Sequence, residues 1–126
     1  DVWREHSKGT MRVIVDFNAS LLENVLDGKK RATTRWQAPS VNTPCTALVT
    51  SQGVTWGELR ITSVQKRTSS EVRDDQELAQ IEELGSGQEL LDLLYGFYPE
   101  MPRNDTEELQ VFYFDSVKRF SNEQQL

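Results

Sequence analysis

One cysteine (Cys45) and one histidine (His6) in 126 residues leave too few ligands for a structural zinc site, no partner for an intramolecular disulfide and no histidine pair for acid–base work. His6 reads as a solvated side chain and Cys45 as a small buried thiol, and neither is assigned a role. No run approaches the roughly 18 uninterrupted apolar residues of a membrane span, and the stretch holding Asp1, Arg4, Glu5, His6 and Lys8 has no signal-peptide core. The expectation is a soluble intracellular protein, cytoplasmic or, in a eukaryote, nuclear, with no metal, no cofactor and no membrane partner. What is present, 37% hydrophobic and 27% charged residues, suits one folded domain and excludes wholesale disorder, a collagen-like chain and a coiled coil. Internal repeats, linkers and low-complexity segments are absent from the sequence.

The net charge of −6 is unevenly spread. Residues 1–70 carry ten Lys/Arg against six Asp/Glu, whereas residues 71–110 carry two against twelve. Four of the ten cations, Lys29, Lys30, Arg31 and Arg35, fall within seven residues, enough for a local anion site. Tracking along a nucleic-acid duplex needs basic charge over a whole face, so a small anionic or nucleoside ligand fits better.

Residues 1–10 are polar and read as a flexible leader, residues 11–120 as one domain and residues 121–126 as a tail. Met11 to Phe17 predicts a strand, and Asn18 an N-cap for a short helix whose stripe is Leu21, Leu22, Val25 and Leu26. Gly28 stands where the chain leaves that helix at positive φ. Arg31 to Trp36 predicts a strand, and Thr46 to Val64 a hairpin turning at Gln52-Gly53, with Gly57 marking a bulge. Ser70 to Leu84 reads as one acidic helix, and Ser86 with Glu89 as the capping box of another that stops before Pro99. Leu109 to Phe114 predicts a last strand with Leu109, Val111 and Tyr113 on one face and Phe112 and Phe114 on the other. This order predicts an α+β domain built on a small, curved, mostly antiparallel β-barrel with a few surrounding helices.

Gly28 to Arg35 (GKKRATTR) is the chemically loaded segment. On a strand, Thr33 and Arg35 share a face and Thr34 points away, while Lys30 joins that face only from the preceding turn. A desolvated lysine loses its proton more easily, so a buried Lys30 can deprotonate Thr33 and make it a nucleophile, with a carboxylate orienting the amine. Without burial, the same lysines complement a helix C-terminus and the threonines are ordinary strand residues.

Leu22 to Arg35 (LENVLDGKKRATTR) resembles the signature of the ASCH domain, in which a helix ends in a Gly-x-Lys step followed by a Thr-x-Arg strand. The resemblance runs from about Met11 to Phe114, taking in the helical insertion that ends at Tyr98-Pro99 and the aromatic last strand. It implies a PUA-like β-barrel whose cleft associates with RNA or nucleosides. Within the family, the chain is most similar to small stand-alone bacterial N4-acetylcytidine amidohydrolases. That similarity implies Lys30 as general base, Thr33 as nucleophile and a glutamate that orients the amine or the substrate amide, with Arg35 binding substrate. Counting back from Tyr98-Pro99 puts the glutamate at Glu83, or at Glu82 if the insertion differs by one residue. Lys29, Arg31 and Trp36 complete the expected binding residues, and Trp56 is a second aromatic able to stack on a base.

Two functions are therefore expected of one cleft. The first is removal of the acetyl group from N4-acetylcytidine or a related acylated nucleoside, without a cofactor. The second is an RNA-binding or coregulator module without chemistry, whose phosphate contacts make affinity fall steeply with salt. Ribonuclease activity ranks below both for want of a histidine pair.

Overall fold

The computed structural model describes residues 2–7 and 10–121, which form six strands and four helices. The strands are β1 (Val2–Ser7), β2 (Thr10–Asp16), β3 (Ala32–Arg35), β4 (Cys45–Ser51), β5 (Val54–Thr68) and β6 (Glu108–Arg119). The helices are α1 (Ala19–Leu26), α2 (Ser69–Arg73), α3 (Gln76–Ile81) and α4 (Gly87–Phe97). All six strands join one sheet in the order β1-β2-β4-β5-β6-β3, antiparallel at every pairing except the parallel β2–β4 contact. The sheet curls into a half-barrel, which gives the expected α+β class. No described helix is long and apolar enough to cross a membrane.

Local signals explain most boundaries. Asn18 caps α1 by accepting from Ser20 N at 3.0 Å, and Gly28 at φ +76° turns the chain from the helix end toward β3. Gln52 and Gly53, both at positive φ, close the β4–β5 hairpin. The register slips between Val49 and Thr50, leaving Trp56 extra on β5 beside Gly57. A Cβ at Gly57 would collide with the main-chain oxygen of Lys118, which explains a glycine there.

Two expectations are corrected. The leader expected over residues 1–10 contains β1, which extends the sheet as an edge strand paired with β2 from Val2↔Val15 to Ser7↔Thr10. Main-chain pairing holds a strand at a sheet edge, and the polarity of its residues does not exclude that pairing. The single helix expected from Ser70 to Leu84 is two short ones. Thr68 and Glu71 form a reciprocal capping box on α2, and Asp75 caps α3 by accepting from Leu78 N at 2.9 Å, so each helix has its own N-terminus. Apart from Ser121, the expected tail lies outside the described residues.

β6 separates two cores. Phe112 and Phe114 pack with Val15, Phe17, Val25, Leu59 and Ile61 beneath α1, whereas Leu109 and Val111 pack with Val72, Leu78, Leu90, Leu91 and Leu94 of α2–α4. The alternation along β6 therefore serves both faces, as its sequence pattern predicts. β3 pairs with β6 with Thr33 opposite Phe112 and Thr34 opposite Val111, so neighbouring threonines point into different layers.

Candidate functional site

Each polar residue of the site arrives by a separate structural route. Beyond Gly28, Lys29 N and Lys30 N both donate to Asn24 O, which draws the chain back under α1 and turns Lys30 inward. Lys30 is 3% exposed and its Nζ donates to Glu82 Oε1 at 3.0 Å. Glu82 follows α3 and sits four residues after buried Leu78, on the same helical face, where it too is 3% exposed. Its Oε2 accepts from Thr34 Oγ1 at 2.6 Å, a length typical of a hydroxyl bound to an ionised carboxylate, and its Oε1 also receives Thr34 N at 3.4 Å.

On the other face of β3, Arg35 Nε donates to Thr33 Oγ1 at 3.0 Å and Nη1 donates to Asp16 O at 2.8 Å. The Arg35 guanidinium lies 4.9 Å from the Phe17 ring centroid, a cation–π contact within the core under α1. Both sets of groups line one cavity of about 240 Å³ together with Asp16, Asn18 and Tyr98. Its remaining wall, Leu21, Leu84, Leu90, Leu93, Leu94 and Phe97, is entirely apolar. Phe97, 45% exposed, sits at the rim.

Burial dominates the electrostatics. Desolvation pushes the Lys30 amine below the ordinary lysine range, opposed by the charge and hydrogen bond of Glu82 and by the charge of Glu83, and aided by the charge of Arg35. Desolvation likewise lowers Arg35, against the stabilising influence of Tyr98, Glu82 and Asp16. A guanidinium starts so high that it stays charged, whereas an amine in the same setting is brought toward a usable base. Among the described residues, Ser51 Oγ is the one fully buried side-chain polar atom without a hydrogen-bond partner, and it lies outside the cavity lining.

Of the expected residues, Lys30, Thr33 and Arg35 come together in the cavity. The glutamate that lines the cavity is Glu82, the alternative, and not Glu83. The chain turns at Glu83 in the left-handed region, φ +63°, which sends that side chain to the surface while Glu82 stays inside. Lys29 and Arg31 are exposed and do not line the cavity. Trp36 is a buried wall residue rather than a ligand platform. It packs edge-to-face on Tyr98 at 5.7 Å, donates from Nε1 to Glu107 Oε2 at 2.8 Å, and stands one layer behind the cavity. Trp56 donates to Ser51 O and packs against the core under α1. Four polar lining residues were not anticipated as part of a site: Thr34, whose alternation pointed it away from Arg35 and hence toward Glu82, Asp16 and Tyr98, which border the cavity from β2 and the end of α4, and the helix cap Asn18.

The fold recurs in solved structures. An ASCH protein from Zymomonas mobilis matches with a TM-score of 0.62 over 88% of this chain and 73% of that one, at 10% identity. A serine-to-alanine mutant of the Zymomonas protein matches over 88% and 74%, with a TM-score of 0.62 at 12% identity. A DUF984 protein from Enterococcus faecalis V583 matches with a TM-score of 0.67 over 83% and 72%, at 16% identity. No family model and no curated protein sequence matches the chain. At these identities the likeness establishes a shared fold, that of the ASCH proteins.

Proposed function

We propose that the cavity hydrolyses the amide of a small acylated nucleoside, with N4-acetylcytidine as the reference substrate. The observation that carries the reading is a buried amine–carboxylate pair, Lys30 and Glu82, lining one small cavity with the hydroxyl of Thr33 and the guanidinium of Arg35. The resemblance of Gly28–Arg35 to the ASCH signature supports the same assignment.

In this mechanism the neutral form of Lys30, made more accessible by desolvation, takes the proton of Thr33 Oγ1 as that oxygen attacks the acyl carbonyl carbon. The N–H of Arg35 Nε, already directed at Thr33 Oγ1, stabilises the negative charge developing on it. When the C–N bond breaks, the Lys30 ammonium returns its proton to the departing amine, leaving acyl-Thr33. Water then attacks the ester with Lys30 receiving its proton, and Lys30 passes that proton to Thr33 Oγ1 as the C–O bond breaks, which releases the carboxylic acid and restores the Thr33 hydroxyl and the Lys30 amine. Glu82 orients the amine throughout. The apolar wall from Leu21 to Phe97 suits an uncharged base or acyl group better than phosphates, and the cavity is at the small end of ligand sites.

Incubation of the purified chain with N4-acetylcytidine, with cytidine followed by chromatography, tests the reading. Turnover abolished by Lys30→Ala and by Thr33→Ala in folded protein supports it. A folded wild-type protein that releases no cytidine overturns it, and RNA affinity falling steeply between about 50 and 200 mM salt then favours the binding module.

A further inference from the structure

We propose that Thr34 is a positioning residue of this site: its hydroxyl, donating to Glu82 Oε2, holds that carboxylate in the one orientation that presents Oε1 to Lys30. The inference rests on the proposed hydrolysis only for its kinetic consequences. The geometric part stands by itself.

Three observations converge. Thr34 holds Glu82 at two points, from Oγ1 at 2.6 Å and from its main-chain N at 3.4 Å, so the carboxylate is located by a strand rather than by its own helix. Glu82 needs such a hold, because α3 ends at Ile81 and the chain reverses at Glu83, leaving the carboxylate on a terminal residue. Lys30 in turn has Glu82 as its hydrogen-bonding partner, through Oε1 at 3.0 Å and the main-chain oxygen at 3.5 Å. The chain of influence therefore runs from Thr34 through Glu82 to Lys30. Thr34 touches no proposed reacting atom, since its hydroxyl proton is directed at Glu82.

The consequence concerns protons. A hydroxyl donating to a carboxylate disperses its charge and favours the ionised form. Without that donor, Oε1 is no longer held against Lys30, and the amine loses the hydrogen bond and close charge that oppose its desolvation, so it gives up its proton at lower pH. The other charged groups around the pair are Glu83 beyond α3, Arg35 on β3 with Asp16 at the end of β2 and Tyr98 after α4 acting on it, and Tyr113 on β6, which senses the Glu82 charge. None of them is altered by a change at Thr34, so the shift reports the lost hydroxyl.

The test compares Thr34→Val, Thr34→Ala and Thr34→Ser in the full chain. The Lys30 side chain is titrated by NMR of its ε-carbon, assigned by its disappearance in Lys30→Met, and the pH profile of kcat is measured on N4-acetylcytidine. In Thr34→Val and Thr34→Ala, the Lys30 midpoint and the acid limb of kcat should both fall by about one pH unit, with KM nearly unchanged. Thr34→Ser, which keeps the hydroxyl, should restore both. A midpoint that stays at the wild-type value in either folded deletion variant, or a serine variant that behaves like alanine, overturns the proposal, since a packing role would change only the melting temperature. Should the wild type not turn over N4-acetylcytidine, the hydrolase reading fails, and the NMR titration still decides the role of Thr34.

Discussion

Arg35 Nη1 donates to the main-chain oxygen of Asp16 at 2.8 Å and so ties the end of β3 to the end of β2, strands that lie at opposite sides of the sheet order. The half-barrel that the backbone leaves open is laced there by one side chain. Arg35 thus has two duties, bracing the cavity and directing Nε at Thr33 Oγ1. Arg35→Met should remove two charge-assisted hydrogen bonds and the contact with Phe17, costing about 3 kcal/mol or more in urea denaturation. A loss below about 1 kcal/mol would show that the brace is not structural.

Lys30 and Glu82 are a buried pair whose partners cannot be removed singly at low cost. Lys30→Met leaves the Glu82 carboxylate without its cation and should destabilise the fold by about 3–5 kcal/mol. Adding Glu82→Gln to that variant removes the uncompensated charge while keeping an acceptor for Thr34. The double variant should therefore be more stable than Lys30→Met alone, a non-additive cycle. Simple additivity would mean that the two groups are not energetically coupled.

Desolvation lowers Lys30 and Glu82 raises it, which fixes a sign for the pH dependence of activity. As base, Lys30 must be neutral, so activity should rise with pH along a limb whose midpoint lies below the ordinary lysine value of 10.5. Glu82→Gln deletes the group that holds the proton on Lys30 and should move that limb to lower pH, even as the maximal rate falls. A limb moving the other way would show that Lys30 is not the group titrating.

The apolar rim makes a separate prediction. Phe97 is exposed at the cavity mouth and belongs to its apolar lining, so Phe97→Ser should leave folding intact, raise KM several-fold and change kcat little. An unchanged KM would place the substrate elsewhere.

How much of this was legible beforehand follows from which contacts are local. Asn18 as a cap, Gly28 as a left-handed exit, the Gln52-Gly53 turn and the shared face of Thr33 and Arg35 are all settled within a few residues, and each appears in the structure. The Glu82–Lys30 contact spans 52 residues, and the choice between Glu82 and Glu83 depends on a non-glycine residue adopting positive φ, which no residue type announces. One signal was present: Glu82 lies four residues beyond Leu78, on the buried face, whereas Glu83 does not. Thr34 follows from the same alternation that grouped Thr33 with Arg35, once the opposite face is seen to be covered by helices rather than solvent. Trp36 admits both a core and a stacking reading, because its indole suits either. Its role behind Tyr98 depends on a contact with a residue 62 positions away, which a local pattern does not encode.

The decisive measurement is the rate of cytidine release from N4-acetylcytidine by the wild type, Glu82→Gln and Glu83→Gln, with each variant's fold checked by circular dichroism. Lys30 oriented by Glu82 requires turnover by the wild type, near-wild-type turnover by Glu83→Gln, and a loss of about 10²–10⁴-fold in Glu82→Gln. An inactive wild type, or a Glu83→Gln variant that loses activity while Glu82→Gln keeps it, would contradict it.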